Sequence, residues 1–498
     1  MSTQSYPQAL PKDEAPEASS LSSRRGAAIL LLLCLVQFMD VLDASILNIA
    51  LPSIRRDLDF SQQSLQWVVS GYILTYGGFL LLGGRAADLL GRRRILVSGL
   101  VLFAASSLAG GLAHSGGLLI AARFAQGLGA AMLSPAALST LTTTFRSDKD
   151  RHKALGVWAA VSGLGGAAGV LFGGLLVEGP GWRWVLFVNI PFCVVAFVGA
   201  FALLKKETKV AALAHFDALG AFLVTGGMLL LVYALVKAPD VGWGTTRTLA
   251  ELAGAGAMLV AFVANESRAA NPLVPMSILR VKGVAVADAT QMLALAGFFS
   301  MFFFLTLYMQ TVLHYSPIQT GIAYLPLTGA IIIAAGVSSQ LFARIGTKPV
   351  IVTGSLVGAG GLYWLSRIPV DGSYVSNILP GLLATAFGVG AVFVGSTTAA
   401  NAGVGEDKAG LAAGLLNTAQ QLGAALGLAI LSAIATSRTH SLLHAGHSDL
   451  VHAATHGYQR ALMVGAFFAV AAGLVALLAP NTRETAPAPA AEAVPGAA

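Results

Sequence analysis

Fourteen runs of about twenty largely apolar residues follow one another along this chain, and no other feature constrains its fold as strongly. They cover 27–48, 64–83, 95–113, 117–140, 153–177, 184–204, 216–237, 248–266, 283–312, 320–343, 349–367, 375–398, 409–434 and 459–479. A helix needs a run of that length to cross a hydrocarbon layer about 30 Å thick. In lipid every backbone polar group must be satisfied internally, by a helix or by a closed barrel, and a barrel would show short alternating segments instead. The residues are 56% hydrophobic and only 11% charged, whereas roughly a quarter are charged in soluble domains. The sequence therefore predicts an all-α polytopic membrane protein with 14 transmembrane helices.

An even number of spans places both ends of the chain on one side. That side then holds Arg24, Arg25, Arg92, Arg93, Arg94, Arg146, Lys149, Arg151, Lys153, Lys205, Lys206, Lys209, Arg268, Arg280, Lys282, Arg344, Lys348, Lys408 and Arg483, about nineteen cations against about eight opposite. Positive residues stay inside, so both termini are expected in the cytoplasm and the spans in the cytoplasmic (inner) membrane. The net charge of +7 thus reads as topology rather than as nucleic-acid binding. Residues 1–26, polar and rich in Pro and Ser, and 481–498, rich in Ala and Pro, are expected to be disordered cytoplasmic tails. The first apolar run is too long for a signal peptide and lacks a small-residue cleavage site, so it reads as an uncleaved span. Cys34 and Cys193 lie within apolar runs as packing residues, with no CxxC or Cys/His spacing, and no metal site is expected. No GxxxxGK[ST] stretch and no nucleophile–base constellation is present, which excludes ATP-driven pumping by this chain. The expectation is a non-enzyme without cofactors.

One turn has an echo. Gly84-Arg-Ala-Ala-Asp88-Leu-Leu-Gly91-Arg92-Arg93-Arg94-Ile95 stands between the second and third spans, and Gln340-Leu-Phe-Ala-Arg344-Ile-Gly346-Thr-Lys348-Pro-Val350 between the tenth and eleventh. Aligning Gly91 with Gly346 pairs Arg93 with Lys348 and Ile95 with Val350. The chain then divides into a six-helix bundle at 27–204, a two-helix insert at 205–282 and a second six-helix bundle at 283–480. Duplication of this kind is a hallmark of secondary transporters, whose substrate site lies between the repeats.

Four stretches carry a resemblance. They are Gly84…Asp88…Gly91-Arg92-Arg93 after the second span and Arg123-Phe-Ala-Gln126-Gly127-Leu-Gly129 in the fourth. The others are Leu42-Asp43-Ala-Ser-Ile-Leu-Asn48-Ile-Ala-Leu-Pro52 in the first and Trp182-Arg-Trp…Asn189-Ile-Pro191 before the sixth. With these in order, the chain resembles the major facilitator superfamily, specifically its fourteen-helix drug:proton antiporter branch, over essentially its whole length. The resemblance implies a major facilitator fold and a multidrug or antibiotic efflux transporter. It also implies that Asp88, Gly91, Arg92 and Arg93 form a conformational gate that latches the two bundles on the cytoplasmic side. The fifth span departs from the family's G-P-x-x-G-G, reading Gly169-Val170-Leu-Phe-Gly173-Gly174. Its small-residue face survives in Gly156, Gly163, Gly166, Gly169, Gly173 and Gly174, which predicts close helix packing.

Asp40 and Asp43 lie three positions apart and share one face of the first helix. A charge at bilayer depth costs about 3 kcal/mol even on lenient scales, so such groups face a cavity or a partner. Asp43 lies about five residues before the outer end of its span and Arg123 about six past the outer end of the fourth, within roughly 10 Å of the same boundary at 1.5 Å per residue. The two are expected within salt-bridge or single-water reach. Moving Arg123 or admitting water would change how tightly Asp40 and Asp43 hold a proton, which makes the three the expected coupling group; the alternative is that Asp43 only locks two helices together. Gln37, Asn48, Gln126, Gln310, Asn417, Gln420 and Gln421 are the expected substrate-cavity residues, with amide glue between helices as the other reading. Asp288 reads as an inner-end charge facing water. The aromatic run Phe298–Phe304 reads either as a stacking surface or as lipid-facing packing. His440, His444, His447, His452 and His456 read as a solvated external loop.

The expected function is export of a small amphipathic drug or antibiotic in exchange for protons, by alternating access, from a chain expected to be a monomer and whose other partners are protons and membrane lipid, with no nucleic acid. A proton-coupled symporter importing a small nutrient, and a non-transporting membrane sensor or scaffold, are the alternatives.

Overall fold

The structure is a computed structural model that describes residues 21–481 apart from 146, 205–216, 270–271, 275, 282, 402–403, 405–408 and 446–448. The expected tails lie almost wholly outside the described residues, as do Arg146, Lys205, Lys206, Lys209, Lys282, Lys408, Arg483 and His447 and the side chain of Lys149.

The described residues form a succession of helices: α1 (Arg24–Asp57), α2 (Gln62–Leu90), α3 (Arg92–Gly111), α4 (Gly116–Thr144), α5 (Asp148–Glu178), α6 (Trp184–Phe187), α7 (Asn189–Leu203), α8 (Ala218–Val241) and α9 (Thr246–Glu266). They continue with α10 (Val284–Leu307), α11 (Pro317–Ile345), α12 (Thr347–Leu365), α13 (Leu379–Asn401), α14 (Ala409–His444) and α15 (Leu450–Ala476). Serines placed just before α2, α4, α5 and α11 accept the first free backbone N–H groups, and Ser316 with Gln319 completes a capping box ahead of Pro317.

Thirteen of these helical segments, α6 and α7 counting as one, are long and apolar enough to cross a membrane. The fourteenth expected span falls on α12, which opens with Thr-Lys-Pro and is diluted by glycine; its 19 residues still reach about 28 Å. Several helices outrun the spans expected for them. The histidine loop is shorter than expected, because α14 continues to His444 and α15 starts at Leu450. Asp449 caps α15, and its carboxyl is held below the ordinary range chiefly by the hydrogen bond from His452.

The same packing occurs twice. In the first half α1 lies on α5 and α7, α2 on α4, and α3 on α4 and α7; in the second α10 lies on α14 and α15, α11 on α13, and α12 on α13 and α15. The echo seen in sequence is one of geometry as well: Gly91 and Gly346 each end one helix and begin the next, with φ of 98° and 86°. Only glycine adopts that region without strain. The glycine stripes repeat too. A Cβ on Gly165, Gly169 or Gly173 of α5 would strike the α1 carbonyls of Phe38, Leu42 or Ile46 at 2.9 Å, and one on Gly423 or Gly427 of α14 would strike those of Met292 or Ala296 on α10 at 2.2 or 2.3 Å.

The α5 stripe differs from the one expected. Gly165 belongs to it, Gly174 faces α11 instead, a Cβ on Gly156 would meet no atom within 4 Å, and those on Gly163 and Gly166 would make only loose contacts. With no proline inside, α5 is one uninterrupted helix of 31 residues.

The halves meet along two seams, α2 with α14 and α5 with α11. Beside the first lie α8 and the segment that follows α9: Ala221 of α8 and Leu273, Val274 and Ile278 beyond α9 cluster with Ala412 and Leu415 of α14 and with Leu81 and Leu82 of α2. The second is tight only at the end remote from the termini. There Glu178 accepts hydrogen bonds from the Ser316 hydroxyl (2.9 Å) and the Ile318 N–H (3.3 Å), and a Cβ on Gly321 would lie 2.4 Å from the Val170 carbonyl. Towards the other end, a Cβ on Gly163 would reach Ile332 only at 4.0 Å, and Cβ atoms on Gly329 and Gly336 would meet nothing within 4 Å.

Candidate functional site

Two glycines in α4 bring the site together. A Cβ on Gly127 would lie 2.3 Å from the Tyr72 carbonyl of α2, and one on Gly129 would lie 3.0 Å from the Phe103 nitrogen of α3. Their absence lets α4 lie against both helices, so that Arg123 reaches inward: its Nε donates to the Val68 carbonyl at 3.0 Å and its guanidinium lies 4.3 Å from the centre of the Tyr72 ring.

Arg123 and Asp43 form an ion pair of 2.8 Å, with 1% and 0% of their surface exposed. Asp43 also accepts from Gln126 (2.8 Å) and from Asn189 (2.7 Å), while Gln126 accepts from Arg123 at 2.6 Å and donates to Ser107 at 2.9 Å. The pair is thus clasped by α1, α3, α4 and α7, and hydrogen bonds complete the coordination that a buried pair needs.

One turn back along α1, Asp40 is in different company. It is 5% exposed and accepts hydrogen bonds from the hydroxyls of Tyr72 (2.7 Å) and Tyr76 (2.9 Å). Among the described residues no cation pairs with it. The Tyr76 hydroxyl also has Ser134 on α4 and Asn417 on α14 for neighbours. Polar groups therefore extend from Asp40, past one phenol, to the other half of the molecule.

The other expected site residues separate into groups. Gln126 is fully buried in the ion-pair network, not on an open wall. Asn48 is 7% exposed and bonds back to the Ala44 carbonyl of its own helix. Gln37 ties α1 to α5 through Ser162 (2.9 Å). Gln310, in a π-helical turn that continues α10, bonds across the halves to the Ile49 carbonyl at 3.0 Å. Gln126, Gln37 and Gln310 thus each join one helix to another, whereas Asn48 bonds only within α1; side-chain hydrogen bonds of the first kind hold membrane helices together. Asn417, Gln420 and Gln421 are partly exposed on α14, with Gln421 packed where Gly77 leaves room.

Asp88 pairs with Arg92 at 3.6 Å and is half exposed. Arg92 also reaches Ser139 (2.7 Å) on α4, and Arg93 stacks on Phe201 at 4.7 Å, so these contacts hold the turn to its own half. The stretch at Trp182 forms a clasp at the opposite end: Trp182 and Arg183 both donate to Asp57, at 2.9 and 2.7 Å.

Asp288 and Gln291 on α10 retain buried polar atoms with no hydrogen-bond partner among the described residues, and Asp288 is only partly exposed. The aromatic run packs inside the second half, Phe302 against Tyr324 at 4.9 Å and Phe304 against Tyr458 at 5.8 Å. Phe298, Phe303 and Phe304 are buried, so these three do not face lipid.

Sequence reasoning missed Asn189 as a ligand of Asp43, although its stretch was singled out, and it missed Tyr72 and Tyr76. The two tyrosines are four residues apart on one face of α2, a spacing that carried the signal.

Comparison with known proteins agrees with this geometry. Residues 33–428 match the Major Facilitator Superfamily. The chain is 40% identical over 444 residues to a puromycin resistance protein of Streptomyces alboniger, covering 87% of each. It is 40% identical over 413 residues to a cephamycin export protein of Amycolatopsis lactamdurans, covering 82% of this chain and 85% of that one. Among solved structures, a bacterial homolog of the human lysosomal transporter Spinster, in an inward-facing and unoccupied conformation, superposes with a TM-score of 0.66 at 16% identity over 92% of this chain and 97% of that one. The doubled six-helix packing, the membrane-spanning helices and these relatives together make the chain a multi-pass membrane protein that belongs to the Major Facilitator Superfamily.

Proposed function

We propose that this protein exports a small amphipathic drug or antibiotic across the cytoplasmic membrane in exchange for protons, by alternating access. Its named relatives concern puromycin, cephamycin and tetracenomycin C. In this reading both termini lie in the cytoplasm, the working unit is a single chain of two six-helix bundles with α8 and α9 inserted between them, and the proton gradient replaces any cofactor. Each charge moved across the membrane gains about 2.3 kcal/mol per 100 mV, besides the pH gradient.

The observation that carries the coupling is the unequal pair on α1. Asp43 is neutralised by Arg123 and saturated with donors, whereas Asp40 is held by phenols alone, one of which reaches Asn417 in the other half. Asp40 takes the proton and Asp43 with Arg123 sets the field around it. Rearrangement at the α2–α14 seam moves Tyr76 against Asn417 and so couples proton exchange to the relative position of the halves. Substrate enters from the inner leaflet through the α5–α11 seam, which is loose at that end, and Asp88 with Gly91, Arg92 and Arg93 latches the cytoplasmic side when the cavity faces outward. The partly exposed Asn417 and Gln420 offer it a neutral wall.

Drug accumulation in a host lacking its own pumps tests the proposal. Expression should lower accumulation, and an uncoupler should restore it. Efflux that survives collapse of the proton gradient would rule out antiport, and inward transport driven by an acidic exterior would favour a symporter.

A further inference from the structure

A cavity of about 410 Å³ lies at the ends of α12, α14 and α15, and Arg367, Arg438, His456, Gln459 and Arg460 line it. It is remote from Asp40 and Asp43, and nothing in the exchange cycle uses it. The side of the membrane opposite the termini holds Arg55, Arg56, Arg183, Lys237, Arg247, Arg367, Arg438 and Arg460. Cations are scarce on that side by the positive-inside rule, yet three of these surround one cavity.

Their charges are not balanced by acids. Among the described residues the ion pairs join Arg92, Arg123, Arg183, Arg247 and His452 to carboxylates, and none involves the three arginines of the cavity. Arg367 stacks on the Tyr363 ring at 4.9 Å and donates to its hydroxyl. Gln459 is fixed by its bond to the Ile368 carbonyl at 2.7 Å and by His456 at 2.8 Å. Guanidinium groups converging without a counter-ion match an anion with several acceptor oxygens, above all a phosphate.

The surface next to the cavity indicates what carries that phosphate. Along α15, Met463, Phe467 and Leu474 follow Arg460 by three, seven and fourteen residues, on one face of the helix. Phe467 and Leu474 are more than 60% exposed. On α12, exposed Tyr363 and Leu356 descend from Arg367 in the same way. A cationic cavity at the head of apolar stripes fits a phospholipid rather than a free ion. We propose that this cavity binds the phosphate headgroup of an anionic phospholipid, with acyl chain lying along the Met463–Phe467–Leu474 face of α15. In the proposed topology the lipid belongs to the outer leaflet; the site itself does not depend on what is transported.

The test uses the purified full chain in detergent, with phosphatidylglycerol, phosphatidylcholine or inorganic phosphate added. Phosphatidylglycerol should raise the melting temperature more than phosphatidylcholine does, and native mass spectrometry should show it retained. The Arg438→Gln/Arg460→Gln variant should lose that preference, its affinity for phosphatidylglycerol falling about tenfold per guanidinium, while an Arg55→Gln/Arg56→Gln variant keeps it. Phosphatidylglycerol with a photoreactive acyl chain should label the unsubstituted protein between Met463 and Leu474, a result that needs no variant to fold. Equal retention by both variants, or labelling spread evenly over the helices, would overturn the proposal. Stabilisation by inorganic phosphate alone would make this a soluble-anion site and overturn the lipid assignment.

Discussion

Asp43 and Asp40 stand one turn apart on α1 in unlike surroundings, the first paired with Arg123 and the second bonded to two phenols. Removing the charge of Asp43 leaves Arg123 buried beside it without a counter-ion, a change that costs about 3–5 kcal/mol in buried pairs. Asp43→Asn is therefore expected to lower folded yield and melting temperature as well as transport, and a chain that stays stable and pumps normally would remove the pair from the mechanism. Asp40 has no such dependent cation, and an asparagine can still accept from Tyr72 or Tyr76. Asp40→Asn should fold, bind drug and support drug–drug exchange, yet lose uphill efflux driven by a pH gradient. Wild-type uphill efflux from this variant would show that the proton is carried elsewhere.

At the scale of single helices, glycine position decides which surfaces join. Gly169 of α5 touches the α1 backbone, where a Cβ would lie 2.6 Å from Ser45 and 2.9 Å from the Leu42 carbonyl. Gly169→Ala should cost about 1–3 kcal/mol by overpacking. Gly156→Ala, at a position open to 4 Å, should be neutral or stabilise by up to about 1 kcal/mol through helix propensity. Thermal unfolding in detergent distinguishes the two, and equal shifts would mean that α1 and α5 do not pack as described. The same stripe explains how α5 does without the family's proline. Its 31 residues stay helical while Gly165, Gly169 and Gly173 still admit α1.

Across the whole molecule, two seams of unequal character join the halves. Helix α8 packs against both α2 and α14, and in the proposed cycle α5–α11, loose at the end nearer the termini, is the seam that opens towards the inner leaflet. Cysteines at Gly163 and Ile332 should cross-link under oxidation only as the halves close there, should arrest transport once linked, and should release it on reduction. Cys34 and Cys193 are buried, so background reaction should be low. Cross-linking that leaves transport untouched would show that this seam does not move.

The apolar runs and the echoed glycine turn are local or periodic signals, and these were enough to predict the membrane-spanning helices and to point to the repeated packing. Depth along two helices was also enough to bring Asp43 to Arg123, because rise per residue is fixed by helix geometry. Rotation about each helix axis is not written in the same way, since in a lipid-embedded bundle the apolar residues cover every face and hydropathy no longer marks the inside. For that reason only the packed structure could decide that Gln126 and Asn189 bond to Asp43, that Tyr72 and Tyr76 bond to Asp40, and that Gln37 and Gln310 bond across to Ser162 and the Ile49 carbonyl. It likewise brought Arg367, Arg438 and Arg460, far apart in sequence, around one cavity. The sequence by itself marked which stretches become membrane-spanning helices, because the length of an apolar run is a local property; the tertiary contacts determined which way each one faces.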